Sequence, residues 1–149
     1  MSAQQGGPLP FFTTDHRACD ALWAELESAA SAGDRKRTDE LFAEFDKAMR
    51  RHFEMEEQVL FPALEEAMNM PNMGPVQVMR GEHEQMRAVL DQMREELAGG
   101  DPEAMLDHGD TLLMLIQQHN VKEENILYPM AEQSLSARWE ELRQQLAKY

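Results

Sequence analysis

Apolar residues recur along most of the chain at intervals of three and four, and no stretch alternates cleanly with a period of two. Such intervals place side chains on one face of an α-helix, so the pattern predicts amphipathic helices and no sheet. The helix formers Ala, Leu, Glu, Gln, Met and Arg dominate these segments. Glycine and proline interrupt the pattern at 6–10, 71–75 and 99–102, and Gly33 lies between the first two segments. We therefore expect helices at about 14–32, 36–69, 75–98 and 102–133, and a shorter one at about 136–148.

Two prolines fall late in predicted helices, and one marks a helix start. Asp101-Pro102 is suited to begin the fourth helix, because the aspartate can cap free N–H groups and proline needs none in the first turn. Pro62 and Pro129 lie near the ends of the second and fourth helices, where each is expected to kink or end the helix.

A helical hairpin occurs twice in the sequence. A shift of 67 residues aligns Asp15-His16 with Glu82-His83, and the segment 52–62 with the segment 119–129, without a gap. The histidine spacing from 16 to 52 equals that from 83 to 119, at 36 residues. Two such hairpins that close on each other give a four-helix bundle. The sequence thus predicts an all-α protein, an antiparallel up-down-up-down four-helix bundle with a pseudo-two-fold internal repeat plus a short C-terminal helix.

The length of 149 residues indicates one domain, 1–149. Within it the bundle is expected to cover 12–133, with repeat halves at about 12–70 and 79–133, and the C-terminal helix 136–148. Trp139, Leu142 and Leu146 form a stripe on this last helix, which either packs on its own bundle or makes a dimer contact.

The inward faces carry histidines and carboxylates. On a wheel of about 100° per residue, Glu56 lies about 40° from His52, one turn along the same face, and Glu123 relates to His119 in the same way. Glu57 and Glu124 are expected to point away from this face. His16 and His83 share apolar faces on the first and third helices. Besides them, the residues predicted to face inward include Phe12, Trp23, Leu41, Phe45, Met49, Met55, Val59, Ala63, Val76, Met79, Leu90, Leu97, Leu112, Leu115, Ile116, Ile126 and Met130.

Four imidazoles and two carboxylates in a bundle core are costly unless they are paired or bind metal. Any one of these histidines could be an ordinary core or surface residue, but four in register favour a metal site. Imidazole with carboxylate suits iron, manganese or zinc, and two carboxylates one turn from histidines can bridge two metals about 3.5 Å apart. A structural zinc site of the cysteine type is excluded, because Cys19 is the only cysteine.

The order His, HxxxE, His, HxxxE, followed each time by Leu-Phe-Pro or Leu-Tyr-Pro, resembles the hemerythrin-like (HHE cation-binding) family over about residues 10–132. The resemblance implies an antiparallel four-helix bundle and two iron ions bridged by two carboxylates and an oxygen. Ferritin-like di-iron proteins are less similar, because they use four carboxylates and two histidines. Carried over residue by residue, the implied ligands are His16, His52, His83 and His119, with Glu56 and Glu123 as bridges.

One departure from the oxygen-carrying hemerythrins concerns a fifth histidine. These carriers have two histidines one turn apart on the third helix, whereas Met79 and Arg87 flank His83 here. Four histidine nitrogens, two bridging carboxylates and one oxygen bridge supply about ten of the twelve bonds that two six-coordinate irons need. Two open positions favour reaction over reversible carriage.

Several further residues allow more than one interpretation. Asp20 and Arg87, at equivalent positions of the repeat, are expected to face inward, as an ion pair beside the metal layer or with Asp20 as an extra ligand; outward placement is the third alternative. His108 is interpreted as a histidine at the bundle end, or as part of a proton route or second site. Cys19 is interpreted as core filling, with a redox thiol as the alternative.

Charge and composition limit the classes of binding partner and the location that can be expected for the protein. The chain has 28 acidic and 14 basic residues and a net charge of −14, which disfavours nucleic acid and anionic membranes. No apolar run reaches the ~20 residues of a membrane helix, and the first seven residues lack a signal pattern. The single cysteine suggests a cytoplasmic location.

We therefore expect a di-iron protein that binds or reacts with dioxygen, nitric oxide or peroxide, as a monomer or dimer and with a possible redox partner. Manganese or zinc could replace iron. Iron storage or donation, iron-centre repair, and metal-dependent signalling are the alternatives. No pattern marks an organic-substrate pocket, so enzymatic activity stays open.

Overall fold

The computed structural model describes residues 6–149, and all regular structure within them is helical. Residues 1–5, which carry most of the segment predicted to lack a signal pattern, lie outside the described residues. The α-helices are α1 Pro8–Ser31, α2 Arg35–Met55, α3 Phe61–Met68, α4 Gly74–Ala98, α5 Pro102–Lys122, α6 Tyr128–Leu135 and α7 Trp139–Leu146. A π-helical turn, π1 Glu56–Leu60, joins α2 to α3, and a second, π2 Glu123–Leu127, joins α5 to α6. A 3-10 turn, Ser136–Arg138, precedes α7.

The turns that open α2 and α5 repeat each other. Asp34 accepts a hydrogen bond from the Arg37 N–H at 3.1 Å, and Asp101 accepts one from the Ala104 N–H at 3.0 Å. Each cap satisfies one of the N–H groups left free in a first helical turn. Gly33 and Gly100 precede these caps with φ of +76° and +84°, a conformation that costs glycine little. The predicted start at Asp101-Pro102 is confirmed.

The predicted start of the first helix near residue 14 is wrong. Helix α1 already begins at Pro8, with Gly7 as its N-cap. Proline is accepted here because the first turn of a helix has N–H groups without partners, so the missing donors of Pro8 and Pro10 cost nothing. The added turns bury Pro8 and Phe12.

The helices do not end at Pro62 or Pro129. In each case a π turn precedes the proline, and the N–H of the residue before the proline reaches back five residues: Phe61 donates to the Glu56 carbonyl and Tyr128 to the Glu123 carbonyl. The wider turn accommodates a residue that cannot donate. Both π turns begin at a predicted bridging glutamate.

Consecutive helices make the main packing contacts, α1 with α2 and α4 with α5, and α1 also contacts α5 and α6. Their buried apolar residues form two clusters. Along α1, His16 lies between Phe12 of one cluster and Cys19 of the other, and along α4 His83 lies between Met79 and Met86. The histidines therefore occupy a polar layer between two apolar layers.

Helix α7 breaks the symmetry of the repeat. Its Trp139 and Leu142 are buried in the same cluster as Val59 of π1, so the expected packing of this helix on its own chain is observed. Ile126, the equivalent of Val59, is 55% exposed, which contradicts its predicted inward position. The reason is that the described residues provide no second copy of α7 to cover π2. None of the described helices has the length and apolar character required to cross a membrane.

Candidate metal centre

The four predicted histidines lie on four different helices and converge on one buried layer. His16 is on α1, His52 on α2, His83 on α4 and His119 on α5, each at most 3% exposed. The two glutamates, Glu56 and Glu123, are fully buried. HxxxE brings histidine and glutamate together because residues four apart stack on one helical face.

These six side chains form two overlapping groups. One contains His16 and His52, the other His83 and His119, and both glutamates belong to both groups. In each group, ligand atoms from the four residues lie within 4.8 Å of one another. Two carboxylates shared between two pairs of imidazoles can bridge two metal ions.

The donor atoms of the second group lie close together without forming hydrogen bonds, as is expected of ligands for a cation. Glu56 Oε1 lies 3.0 Å from His83 Nε2, and Glu123 Oε2 lies 3.1 Å from His119 Nε2. Nevertheless, among the described residues none of these four buried atoms has a hydrogen-bond partner. Buried polar atoms without partners are costly, and carboxylate with imidazole is a donor set for iron, manganese or zinc. The residues present therefore fit the metal that the resemblance implies.

Each histidine is held from behind by a carboxylate of a neighbouring segment. The four Nδ1 contacts are His16 with Glu124 Oε2 at 2.7 Å, His52 with Asp15 Oδ2 at 2.7 Å, His83 with Glu57 Oε2 at 2.6 Å, and His119 with Glu82 Oε1 at 2.8 Å. Such outer carboxylates fix which ring nitrogen carries the proton and make the other nitrogen a stronger ligand. All four Nε2 atoms are thus left for the centre of the layer.

Two of these carboxylates have histidine partners that the sequence analysis did not identify. Glu57 and Glu124 do point away from the metal layer of their own helix, but they are only 15% and 22% exposed, and they contact histidines of the next segment. A wheel with a constant rotation per residue fails here, because both residues lie in π turns.

A basic side chain adjoins each outer carboxylate. Arg17 lies 3.1 Å from Glu124, Arg51 lies 3.5 Å from Asp15, Arg87 lies 2.7 Å from Glu57, and Lys122 pairs with Glu82. The carboxylates follow the 67-residue repeat, whereas the basic residues do not. The predicted ion pair between Asp20 and Arg87 is therefore wrong, since Arg87 pairs with Glu57 and Glu84.

The carboxylates and imidazoles shift each other's pKa values. Burial alone would raise the pKa of Glu57, but the hydrogen bonds from His83 and Arg87 lower it to about 2. Burial would lower the pKa of His119, but the charge and hydrogen bond of Glu123 outweigh it and raise the pKa to about 9. Opposite charges at close range thus outweigh desolvation. The outer carboxylate Glu57 is ionised at neutral pH.

Tyr128 is a member of the site that the sequence analysis missed. It is fully buried, and its phenol oxygen lies 2.5 Å from Glu56 Oε2 and 2.8 Å from Glu123 Oε1. Burial and the charges of both glutamates raise its pKa well above the ordinary value. The internal repeat could have indicated this residue, because Phe61 occupies the equivalent position in the first half and Tyr128 differs from it by a hydroxyl group.

The other residues with two interpretations lie outside the layer. The Asp20 carboxylate is 47% exposed and 3.6 Å from Arg17, so it belongs to neither metal group. His108 forms a half-exposed pair with Glu96 at 2.7 Å. Cys19 is buried, and burial raises the pKa of its thiol to about 11, which fits core filling.

A small cavity adjoins the layer. Its volume is about 10 Å³, and it is lined by His16, His52, His119 and apolar neighbours. A surface groove of about 370 Å³ between α1 and α5 shares Asp20, Ile116 and Asn120 with this cavity. A cavity of this size holds about one water molecule. The space beside the histidines is therefore about that of one water molecule, which is too small for an organic substrate.

Comparisons with known proteins point to a cation-binding family. The family model described as the hemerythrin HHE cation binding domain matches residues 7–131. The iron-sulfur cluster repair protein YtfE of Escherichia coli O81 (strain ED1a) is 31% identical over 88 residues, which cover 54% of this chain and 40% of that protein. The proteins of the same name from Escherichia coli O1:K1 / APEC and Escherichia fergusonii are 30% identical over the same length. The matched stretch thus spans less than half of these relatives, and no solved structure gives a significant match.

Proposed function

Because the chain belongs to the hemerythrin HHE cation-binding domain family, we propose that it is a non-haem di-iron protein that binds or reacts with dioxygen, nitric oxide or peroxide. The observation that carries this proposal is the pair of buried His/Glu groups that share Glu56 and Glu123. His16 and His52 would hold one iron, and His83 and His119 the other. Manganese or zinc could occupy the same positions.

Bound iron supplies redox electrons and open coordination positions for a small ligand. The protein supplies the rest. Asp15, Glu57, Glu82 and Glu124 keep the imidazoles oriented with Nε2 toward the metal layer. The two apolar clusters exclude bulk water on both sides of the layer, and this strengthens the electrostatic interactions within it.

The small volume of the cavity supports a very small ligand rather than an organic substrate. The cavity beside His16, His52 and His119 has room for a molecule of about the size of water, and it shares Asp20, Ile116 and Asn120 with the surface groove between α1 and α5. The shared lining is apolar at Ile116 and polar at the other two positions, and the groove also carries Arg17 and Glu124.

The finer architecture is also a proposal. We infer an antiparallel up-down-up-down four-helix bundle in one domain, with repeat halves at about 12–70 and 79–133. Short connections between α1 and α2 and between α4 and α5, and the extensive contacts within both pairs, support this arrangement. The single cysteine supports a cytoplasmic location.

A second candidate is delivery of iron to damaged iron–sulfur centres. The observation that favours it is the 88-residue match to proteins named for iron-sulfur cluster repair. In that case the metal would be cargo, and it should leave the layer readily. Since the match spans only 40% of those proteins, the activity of the whole relative is not transferred with it.

One experiment separates the two candidates. The protein is loaded with iron(II) without air and then mixed rapidly with dioxygen, nitric oxide or peroxide, while the visible spectrum is recorded. The proposal expects new bands with at least one of the three and iron that survives desalting. Spectra unchanged by all three would refute it. Transfer of the iron to an iron–sulfur protein depleted of its cluster, with recovery of that cluster, would favour delivery.

The matched variants are His119→Ala and His108→Ala. His119 is buried in the metal layer, whereas His108 forms a surface pair with Glu96. We expect H119A to lose the bands and H108A to retain them.

A further inference from the structure

Tyr128 lies at the centre of one metal group. Its phenol oxygen is 2.5 Å from Glu56 Oε2 and 2.8 Å from Glu123 Oε1. The same oxygen is 3.1 Å from His16 Nε2 and 3.3 Å from His52 Nε2. These four atoms belong to the four residues of the first group. A metal held by these residues would therefore have the phenol oxygen as an immediate neighbour.

The other group has no such oxygen. Phe61 precedes Tyr128 by 67 residues and stands at the equivalent place. Its ring centroid is 5.7 Å from that of His83 with an interplanar angle of 21°, and the Tyr128 ring is 5.5 Å from that of His16 at 35°. The two rings therefore have similar placements, and the hydroxyl is the difference. Among the described residues, the atoms without hydrogen-bond partners in the layer, Glu56 Oε1, His83 Nε2, His119 Nε2 and Glu123 Oε2, all belong to the group beside Phe61.

We propose that the Tyr128 oxygen is a ligand of the metal held by His16 and His52, and that the metal held by His83 and His119 has no equivalent ligand. The two metal positions are then chemically different despite the internal repeat. This inference rests on the proposed di-iron function.

The ligation step requires one exchange. The O–H bond of Tyr128 breaks, its proton passes to solvent, and an oxygen lone pair forms the bond to the iron. Since no electron is transferred, the iron would stay iron(III), and the step needs no oxidant or reductant. Glu56 and Glu123, no longer hydrogen-bonded to the phenol, become available to both metals. The added negative charge favours the more highly charged oxidation state at this position.

This ligand changes the count of open positions. With His16, His52, two carboxylate oxygens, Tyr128 and one oxygen bridge, the first metal reaches about six ligands, the number assumed for each iron. The second metal, with His83 and His119, has about five. A small ligand is therefore expected to bind at the second metal. Its ligand His119 lines the cavity together with His16 and His52 of the first metal.

The test uses the two tyrosines of the chain, Tyr128 and Tyr149. The protein is loaded with iron(III), and resonance Raman spectra are excited in the visible region. The proposal predicts a phenolate-to-iron band with enhanced tyrosine ring vibrations in the wild type and in Tyr149→Phe, since Tyr149 is exposed at the end of the chain. The band should be lost in Tyr128→Phe while both irons are retained.

A gain-of-function variant gives an independent measurement. Phe61→Tyr should place a second phenol beside the other metal and increase the band, and Y128F with F61Y should restore it. Two irons per chain without any tyrosine-enhanced vibration in the wild type would overturn the ligand assignment and leave the di-iron function standing. Failure of the wild type to bind iron would overturn both. If Y128F does not fold, the wild type and Y149F still decide the assignment.

Discussion

The outer carboxylate Glu57 offers a direct way to measure how much the surroundings of the histidines contribute to metal binding. Glu57 accepts a hydrogen bond from His83 Nδ1 at 2.6 Å and two from Arg87 at 2.7 and 2.9 Å. Glu57→Gln keeps the size of the side chain and removes its charge. Since the pKa of Glu57 is lowered to about 2, the charge is present throughout the neutral range.

The expected magnitude follows from this geometry. A hydrogen bond to a charged group contributes about 1.5–3 kcal/mol, and His83 is fully buried, so water cannot compensate for the negative charge that the substitution removes. At 1.4 kcal/mol per factor of ten, E57Q should weaken metal binding by about 10-fold to 100-fold. Only the position beside His83 should be affected, because the other histidines keep their own carboxylates.

The assay is a competition for manganese(II) between the protein and a chromophoric chelator. Glu84→Gln is the matched control, because Glu84 also pairs with Arg87 but is 75% exposed and does not contact a histidine in the structure. E84Q should bind like the wild type. If folded E57Q bound both metals with unchanged affinity, the role given to the outer carboxylates would be refuted.

Three further predictions concern packing and the thiol. Gly109→Ala should destabilise the protein by about 1–3 kcal/mol in urea unfolding, because the added Cβ would lie 2.0 Å from the Trp23 ring. The control Gly81→Ala, whose added Cβ has nothing within 4 Å, should stabilise α4 by about 0.5–1 kcal/mol. Equal effects of the two substitutions would contradict the close approach of Gly109 to Trp23. Leu142→Ala should cost about 2–5 kcal/mol in the same assay, since Leu142 is 2% exposed, and a negligible loss would mean that α7 is not docked. Burial raises the thiol pKa of Cys19 to about 11, so the thiol stabilises the folded state at pH values below its ordinary pKa of 9.0, and this contribution is lost as the pH rises toward 11. Alkylation near neutral pH should be slow in the folded protein and fast in urea. Fast alkylation of the folded protein would contradict the burial of Cys19.

The positions of the six inward residues could be predicted because the motif that carries them occurs twice in the sequence. One HxxxE on an apolar face is weak, but two of them with two further histidines at a fixed offset place four helices around one layer. The family resemblance drawn from these residues is confirmed. Metal binding by His16, His52, Glu56, His83, His119 and Glu123 stays a prediction.

The features that the sequence did not reveal have physical causes. The π turns at Glu56 and Glu123 change the rotation between neighbouring residues, so a regular wheel could not assign Glu57 and Glu124 to their histidine partners. The basic residues beside the outer carboxylates lie outside the repeat, and Arg87 was therefore paired with the wrong partner. The exposure of Ile126 depends on which surface α7 covers, and no local pattern encodes that.

The number of metal ions per chain tests the central claim most directly. The protein is loaded with iron(II) without air, desalted and analysed for iron, zinc and manganese, in the wild type and in a Glu56→Ala, Glu123→Ala double variant. We expect about two irons per wild-type chain and a loss of both in the variant, because each glutamate belongs to both groups. A single zinc, no bound metal, or two irons retained by the double variant would contradict a centre built on shared glutamates.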